Sequence, residues 1–456
     1  MTAISRIAAF TATSDISDEA RAVARAAVQD TIGVILAGAV EPAAKITQRV
    51  ARTDGATGPC RILGTNYLTG PSYAALTNGT AAHALDFDDM CWTTLAHPSA
   101  PLVAAGLAVG EIVDVSGLAF LDAYVVGFEI EAVLGATMNP GHYESGWHCT
   151  STMGTIGATA TAARILGLNS DQTARALAIA VSEASGIKEN FGTMVKPLQG
   201  GLAARNGVLA ALLAKESFTA SMRALDGPQG FLVAMQSTNK ELSHYLDELG
   251  LRWEIIENGI TVKLYPSCAA THPTIDTLLD LKTRENLSVE AIDVVEVDVD
   301  PVTPTVLIYD QPTTGLEGKF SLQYCAAAAL TFGRVDIDTF EPDQMRQSEV
   351  QRLVPRVTMQ VDPKLGRDAP PLTQARVKVR LKDGHVFERF TTGAKGYPEH
   401  PASSSELDDK FLGCARRVVG QEEAVKALHC LRGMSDMSSV RRLTGTLVPS
   451  SPQPAP

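Results

Sequence analysis

The spacing of apolar residues changes along this 456-residue chain, and the change sets its fold class. From Ile4 to about residue 250, apolar residues recur three and four positions apart, as on one face of an α-helix. After about residue 270 they alternate with charged residues, as at Val295, Val297 and Val299, which is typical of half-buried strands. Helical spacing returns near the C-terminus. The sequence therefore predicts a mainly α protein with a large helical region and a smaller α+β module.

The predicted elements follow these two spacings. In the first region we predict helices at residues 21–37, 70–85, 100–113, 118–134, 151–166, 171–184 and 203–214. In the second we predict strands at 291–300, 356–361, 375–381 and 385–390, a helix at 320–332 and a hairpin turn at Asp383-Gly384. Helices predicted at 405–419 and 421–431 could rejoin the first region. Small residues are frequent in several helices, so we expect a bundle whose helices pack closely.

Charge and cysteine usage exclude several classes of partner. Lys and Arg total 39 and Asp and Glu total 51, so the net charge of −12 disfavours a nucleic-acid-binding face but permits an anionic small-molecule substrate. The seven cysteines form no CxxC pair, which indicates reduced thiols. No secretory signal is recognisable, and acidic residues interrupt the most apolar stretch, 119–134. We expect a soluble cytoplasmic protein with no membrane or nucleic-acid partner.

The first of four chemically interesting runs contains Asp86, Asp88 and Asp89 and is followed by His97. A carboxylate beside an imidazole orients the ring and raises its basicity, as a general base requires. One alternative is a solvated acidic turn before a helix that Ser99 caps. Another is a site for a divalent metal, although no standard metal-ligand spacing is present.

The second run, residues 141–150, lies in a glycine-bounded loop. It contains Tyr143 and His148, and such a density of hydrogen-bonding rings is typical of a pocket wall. The alternative is that Trp147 fills the core while the histidines only bond backbone groups.

The third run, residues 188–207, contains Lys196, Arg205 and Lys188. These cations lie close to a predicted helix start, where free backbone amides add positive potential and favour substrate carboxylates. The alternative is that they are ordinary surface cations.

The fourth run lies at the boundary between the two regions and contains Lys263, Cys268 and His272. A lysine in an apolar setting can have its pKa lowered and so act as a base. The alternative is a lysine whose stem packs at the boundary while its ammonium reaches water. Cys268 could be a nucleophile, but no histidine partner is identified for it, so we interpret it as a small polar pocket residue.

Taken in order, these runs resemble the motifs of the MmgE/PrpD family. The matching segments are NGTAAHALDFDD (78–89), HPS (97–99), GWH with the small-residue helix after it, GTMVK with GLAARNG, KLYPSC with THPTID, and KFSLQY (319–324). The resemblance runs from about residue 4 to residue 435. It implies a large all-helical domain formed by residues 1–266 and 395–445, a smaller α+β domain at 267–394 inserted between them, and a homodimer. We expect residues 446–456, rich in Pro and Ser, to form a flexible tail.

The resemblance also implies an active site between the two domains that uses no metal and no organic cofactor. The family's motif positions fall here on Asp86, His97, His148, Lys196, Lys263 and Tyr324. This chain departs from the family at two positions. Decarboxylases of the family can have a histidine where this chain has Cys268, and many members have one where it has Gln199. Both departures weaken the decarboxylase and dehydratase interpretations.

The reactions of the family share one step, the removal or delivery of a proton beside a carboxylate of a polyacid. We therefore expect a small polycarboxylate substrate and an epimerase of iminodisuccinate, in which two groups act on opposite faces of the α-carbon. Lys263 is predicted for one face, and Tyr143 or His97, oriented by Asp86, for the other. The residues predicted to bind substrate are Lys196, Arg205, His148, Tyr324, Cys268 and His272. The alternatives are a lyase related to 2-methylcitrate dehydratase or cis-aconitate decarboxylase, and a polycarboxylate-binding protein without activity.

Overall fold

The computed structural model describes residues 2–235 and 241–449, and these form two compact units. The first unit contains the described residues up to Glu189, those within Val195–Val262 and those from Ser403 onward. The second contains Asn190–Met194 and Lys263–Ala402. The predicted fold class is confirmed, since a smaller α+β unit interrupts a mainly helical chain. Residues 450–456 of the predicted flexible tail lie outside the described residues.

The first unit is built from helices, and those that were predicted mostly lie within a few residues of their predicted bounds. Its longer helices are Ala3–Thr13, Asp18–Gly38, Pro42–Asp54, Pro71–Ala84, Ser99–Val113, Gly117–Met138, Cys149–Ile165, Ser170–Glu183, Val195–Lys215, Ser404–Ala415 and Gln421–Arg432. Its shorter ones are Gly141–Glu144, Phe231–Ala234, Leu242–Glu248, Glu254–Glu257 and Val440–Thr446. The largest difference is at Val195, where a helix begins before its predicted start at 203, because Pro197 is tolerated in a first turn.

Side-chain caps account for several of these helix starts, as two examples show. The Ser17 side chain accepts a hydrogen bond from the backbone N–H of Ala20. Asn169 and Gln172 form a reciprocal capping box at the start of Ser170–Glu183. Each cap satisfies an N–H group that has no partner within its own helix.

The helices Pro71–Ala84 and Val195–Lys215 cross with their backbones nearly in contact. A Cβ atom added to Gly201 would lie 2.3 Å from the carbonyl oxygen of Leu76, and one added to Gly79 would lie 2.8 Å from the Cα atom of Gly201. Only glycine fits such a crossing, which confirms the close packing expected from small residues. The crossing places the C-terminal end of one helix beside the first turns of the other.

Two short strands in the first unit were not predicted. Cys60–Arg61 pairs with Leu68–Thr69 in an antiparallel arrangement. Two residues per strand are too few to produce a recognisable alternation in the sequence. Among the described residues of the first unit, these two strands form the one sheet, and the regular structure is otherwise helical.

The second unit contains a four-stranded mixed sheet. In spatial order its strands are Val357–Val361, Ile292–Val299, Ala375–Leu381 and Val386–Thr391, the first pair parallel and the other two antiparallel. The predicted hairpin turn is present at Gly384, whose φ is 91°. The helices of this unit are His272–Arg284, Gly315–Gly318, Leu322–Phe332, Pro342–Met345 and Ser348–Leu353.

Within the described ranges, no single helix is both long and apolar enough to cross a membrane. Asp18–Gly38 and Pro42–Asp54 reach that length and composition only as a pair, with a bend of 82° between them.

Candidate active site

A cluster of imidazoles and carboxylates lies in the first unit, where the helix Pro71–Ala84 ends. His83 is in its last turn, and the chain then turns at Asp86, whose φ of 51° lies in a left-handed region that Asp adopts more readily than most residues. His83, Asp86, Asp88 and His97 are 1%, 3%, 0% and 9% exposed. The interpretation of this run as a solvated acidic turn is therefore wrong, because these carboxylates are shielded from water.

Asp88 lies against two imidazole rings. Its Oδ2 atom is 2.7 Å from Nδ1 of His83 and 3.5 Å from Nδ1 of His97. The two rings meet edge to face, with centroids 4.6 Å apart. Burial lowers the pKa of His83, although the nearby charge of Asp88 opposes this effect. His83 is therefore a neutral ring at pH 7, and its Nδ1 proton points at Asp88.

Asp86 joins an ammonium group and an imidazole. The Nζ atom of Lys196 donates to Oδ1 of Asp86 over 2.6 Å, and Nε2 of His97 lies 3.7 Å from the same oxygen. Lys196 is in the first turn of Val195–Lys215 and is 3% exposed. A buried ammonium keeps its charge only beside an anion, so this ion pair brings a positive charge into the cluster.

His148 extends the cluster on the other side of His83. The two rings stack with centroids 5.5 Å apart and planes inclined by 20°. Nδ1 of His148 lies 2.6 Å from Oε1 of Gln199. Burial, assisted by the positive charge of Lys196, holds the pKa of His148 well below its ordinary value. His148 is therefore a neutral ring at pH 7.

Together these side chains can bind an anion and transfer a proton beside it. The ammonium group attracts a carboxylate, and neutral imidazoles can accept a proton at pH 7. The carboxylates of Asp86 and Asp88 orient the rings and the ammonium. Proton transfer beside a carboxylate requires a cation near that carboxylate and a group that accepts or donates the proton, and the cluster contains both.

Asp89, the third carboxylate of the run, has different partners. Ser99 donates to it from both its backbone N–H and its hydroxyl, and the Ser99 hydroxyl is 2.6 Å from that of Tyr124. Burial raises the pKa of Asp89 to about 8, so it is a protonated acid at neutral pH. Ser99 is the first residue of the helix Ser99–Val113, and the prediction that it caps this helix is wrong.

The loop that contains Asp86 and Asp88 is anchored by the C-terminal part of the chain. Lys410, on the helix Ser404–Ala415, donates to the carbonyl oxygen of Phe87 over 2.8 Å and lies 2.7 Å from a carboxylate oxygen of Asp30. Both charged side chains are buried, at 4% and 0% exposed. A distant segment therefore positions the peptide between the two carboxylates.

The donor atoms of His83, Asp86, Asp88 and His97 lie within 4.8 Å of one another, a spacing that could hold a metal ion. The ammonium of Lys196 already supplies a positive charge at 2.6 Å from Asp86. A divalent cation bound there would be repelled by this ammonium. The expectation that no metal takes part stays a prediction.

Four of the predicted residues belong to the second unit, namely Lys263, Cys268, His272 and Tyr324. Lys263 is fully buried, so the alternative that its ammonium reaches water is wrong. Nε2 of His272 lies 3.2 Å from the carbonyl oxygen of Ser267, and its ring contacts that of Tyr265. The Tyr324 hydroxyl donates to a backbone carbonyl, and burial raises its pKa. Their roles in a substrate site stay predictions.

Two further predicted residues lie elsewhere in the first unit. Tyr143 is buried, and the ammonium of Lys188 stands 3.7 Å above the centre of its ring. Arg205 is nine residues beyond Lys196, about 13 Å along the same helix at ~1.5 Å per residue. It interacts electrostatically with Glu183. The structure thus brings together Asp86, His97, His148 and Lys196 but does not bring Arg205 to them.

Three residues of the cluster were not among the site residues predicted from the sequence: His83, Asp88 and Gln199. Asp88 appears there only as part of the first run, and Gln199 only as a departure from the family. His83 precedes Asp88 by five residues across a helix end, a spacing that could have indicated the contact. Gln199 follows Lys196 by three residues on one helix, and residues so spaced share a face. Its contact with His148 joins positions 51 residues apart, which the sequence does not reveal.

Two family models match the chain, the MmgE/PrpD N-terminal domain over residues 2–243 and the MmgE/PrpD C-terminal domain over residues 265–432. A cis-aconitate decarboxylase-like protein of Aspergillus oryzae is 28% identical over 453 residues, covering 94% of this chain and 93% of the relative. The cis-aconitate decarboxylase of Homo sapiens is 28% identical, covering 84% and 80%. That of Aspergillus terreus is 26% identical, covering 95% and 92%. These relatives favour the lyase alternative over the predicted epimerase.

Proposed function

The chain belongs to the MmgE/PrpD family, and from that premise we propose that it is a carboxy-lyase acting on a small unsaturated tricarboxylate such as cis-aconitate. The observation that supports this most is its similarity, over most of its length, to enzymes named cis-aconitate decarboxylase. The buried cluster of one ammonium and three imidazoles supplies suitable chemistry.

In the proposed reaction, the C–C bond to one carboxylate breaks and CO2 leaves. The electron pair of that bond stays on the substrate, where a proton replaces the lost carboxylate. Negative charge develops on the carbon skeleton during this step, so a cation must already be in place beside it. We assign this task to the ammonium of Lys196, which Asp86 holds in position.

The proton comes from an imidazole in this proposal. His97 lies between the carboxylates of Asp86 and Asp88, with ring nitrogens 3.7 Å and 3.5 Å from their oxygens. We therefore assign His97 as the proton donor, and the neutral His148 as a further proton-transfer group. Lys263, Tyr324, Cys268 and His272 of the second unit are proposed to contact the remaining carboxylates.

The second candidate is the predicted epimerase of iminodisuccinate. It is kept because two departures weaken the lyase interpretation: Cys268 stands where decarboxylases of the family can have a histidine, and Gln199 stands where many members have one. An epimerase needs no bond cleavage apart from C–H, and two proton-transfer groups suffice.

One assay distinguishes these reactions. The purified protein is incubated in D2O with cis-aconitate, 2-methylcitrate and iminodisuccinate in turn, and each mixture is followed by proton NMR and by release of CO2 from 13C-carboxyl-labelled substrate. A decarboxylase releases CO2 from cis-aconitate and incorporates one deuteron into the product. Exchange of the α-hydrogen of iminodisuccinate without loss of CO2 would instead support the epimerase. Loss of water from 2-methylcitrate, or binding without any reaction, would contradict both.

We also propose that the active form is a homodimer, as the resemblance implies. Sedimentation equilibrium should then give a mass of twice 48.3 kDa. A mass of 48.3 kDa in a fully active preparation would contradict this.

A further inference from the structure

The side-chain amide of Gln199 has only one orientation that fits its surroundings. On one side it faces the backbone carbonyl of Ile187, which can only accept a hydrogen bond, over 3.2 Å. The amide nitrogen must therefore point at Ile187, because the opposite orientation would bring two carbonyl oxygens together. The amide oxygen then faces Nδ1 of His148 at 2.6 Å.

This orientation decides where the proton of His148 is. An amide oxygen can only accept a hydrogen bond, so Nδ1 of His148 must be the donor. A neutral imidazole has one N–H, so Nε2 is then the unprotonated nitrogen of the ring. We propose that Gln199 is a positioning residue that locks His148 as the Nδ1–H tautomer and so makes Nε2 the proton-transfer atom of this ring. The role of Nε2 in proton transfer rests on the proposed function, whereas the tautomer itself does not.

The backbone around Gln199 is closely packed. The backbone N–H of His148 donates to the carbonyl of Gly186 over 3.0 Å, which joins the segment before Ile187 to the histidine. Gly186 has a φ of 127°, and a Cβ atom there would lie 2.7 Å from Cβ of Ser151 and 3.3 Å from Cδ of Gln199. Because only glycine fits at this position, the segment packs tightly. This packing keeps both Ile187 and His148 next to the side-chain amide of Gln199.

His83 is held in the same tautomer by a different group. Its Nδ1 atom faces a carboxylate oxygen of Asp88 at 2.7 Å, so Nε2 is the unprotonated nitrogen in this ring as well. A carboxylate partner brings a negative charge that favours protonation of the ring, whereas the neutral amide of Gln199 acts on His148 only through its hydrogen bond. The charged groups that act on His148 at pH 7 are Lys196 and Asp86. Gln199 therefore fixes the direction of the ring without adding a charge to it.

The tautomer can be measured directly on the intact protein. With 15N-labelled histidine, nitrogen shifts and proton couplings distinguish Nδ1–H from Nε2–H, and the signals of His148 are identified by their loss in His148→Asn. We expect the proton on Nδ1 in the wild type and a mixture of tautomers in Gln199→Leu. A proton on Nε2 in the wild type would overturn the proposal, whatever reaction the protein catalyses.

Kinetic measurements on three variants test the consequence. Gln199→Leu should lower kcat by about 10-fold or more and change KM little. A well-positioned proton-transfer group accelerates a reaction by ~10²- to 10⁴-fold, and the variant should lose part of this acceleration. Gln199→Glu keeps an acceptor for Nδ1–H but adds a charge, so it should retain the tautomer and shift the acidic limb of the pH profile to higher pH. Gln29→Leu removes another buried glutamine amide, which donates to Asp408, and should leave kcat unchanged.

The outcomes separate this proposal from a purely structural role. If Gln199→Leu and Gln29→Leu lower the melting temperature alike and neither changes kcat or the tautomer, Gln199 is structural and the proposal is wrong. If the tautomer shifts in Gln199→Leu but no tricarboxylate is decarboxylated by the wild type, the tautomer lock stands and the proposed function fails.

Discussion

Asp86, Asp88 and Asp89 lie within four positions of one another, yet their surroundings put them in different chemical states. Asp86 faces an ammonium and Asp88 faces two imidazoles. Asp89 accepts hydrogen bonds from the neutral backbone N–H and hydroxyl of Ser99. A buried carboxylate without a cation is too costly to ionise at neutral pH, so Asp89 keeps its proton.

The raised pKa of Asp89 predicts a pH dependence of stability. Its pKa is 3.8 in a model compound and about 8 in the folded protein, so the folded state binds this proton more tightly than the unfolded state. The contribution is complete below pH 3.8 and is lost as the pH rises towards 8. Relative to Asp89→Asn, the wild type should lose up to about 1.4 kcal/mol of unfolding free energy per pH unit in this window.

Urea unfolding at several pH values between 4 and 9 measures this difference. Asp368→Asn, at an exposed position, is the control, and its unfolding free energy should change with pH as that of the wild type does. Parallel curves for Asp89→Asn and the wild type would show that Asp89 is ionised in the folded protein.

Lys196 is the cation on which the proposed reaction depends. Lys196→Met removes the ammonium that faces the developing charge, so we expect kcat/KM to fall by about 10²-fold or more. Lys215→Met, an exposed position at the other end of the same helix, should retain wild-type kinetics. Because the first substitution also leaves Asp86 buried without its cation, circular dichroism must show that the variant is folded. A folded Lys196→Met with normal turnover would exclude the assigned role.

At the scale of elements, the crossing of Pro71–Ala84 with Val195–Lys215 determines whether the cluster can form. In Gly201→Ala the new methyl group would overlap the carbonyl of Leu76, so the helices must separate. We expect a loss of about 1–3 kcal/mol or more of unfolding free energy, together with reduced turnover.

Gly413→Ala is the matched control for this prediction. Gly413 is also inside a helix, Ser404–Ala415, but an added Cβ there would have no atom within 4 Å. Since alanine is the better helix former, this variant should be more stable by about 0.5–1 kcal/mol. Equal effects of the two substitutions on the melting temperature would contradict the close crossing.

Much of this element structure could be predicted from the sequence. The strand predicted at 375–381 is observed as Ala375–Leu381, because valines alternate with charged residues along it. The helix predicted at 203–214 begins earlier in the structure. In the sequence, Pro197 and the glycines after it resemble a helix break, whereas in the structure Pro197 lies in a first turn and the glycines lie at a close helix crossing. Local spacing thus predicts most elements, and errors arise where packing permits residues that usually interrupt helices.

The site could be predicted only in part. The run containing Asp86 and His97 was recognisable because acids and imidazoles are concentrated there. The pairing of His148 with Gln199 depends on how two helices pack, and the sequence does not contain that information. The grouping of Arg205 with Lys196 followed their nearness in sequence, whereas nine residues of helix separate them.

At the scale of the molecule, the N- and C-terminal segments share the first unit, and Lys410 ties them together. Lys410→Met would leave Asp30 buried without its ammonium, so we expect a loss of about 3–5 kcal/mol of unfolding free energy and lower turnover. The exposed Lys426→Met, which loses an ion pair with Glu422 on one helix, should leave the stability nearly unchanged. The two variants are compared by thermal unfolding and by kcat.

Adding Asp30→Asn to Lys410→Met should recover part of the lost unfolding free energy. No recovery would contradict a buried ion pair.

The contact between Lys410 and Phe87 also has a consequence for biosynthesis. The two residues are 323 positions apart, so at 5–20 residues per second a ribosome needs roughly 16–65 s to reach the lysine after the phenylalanine. During that interval the nascent chain contains Asp86 and Asp88 without the group that anchors the peptide between them. A message truncated before codon 410 would therefore yield a chain in which the peptide between Asp86 and Asp88 lacks this anchor.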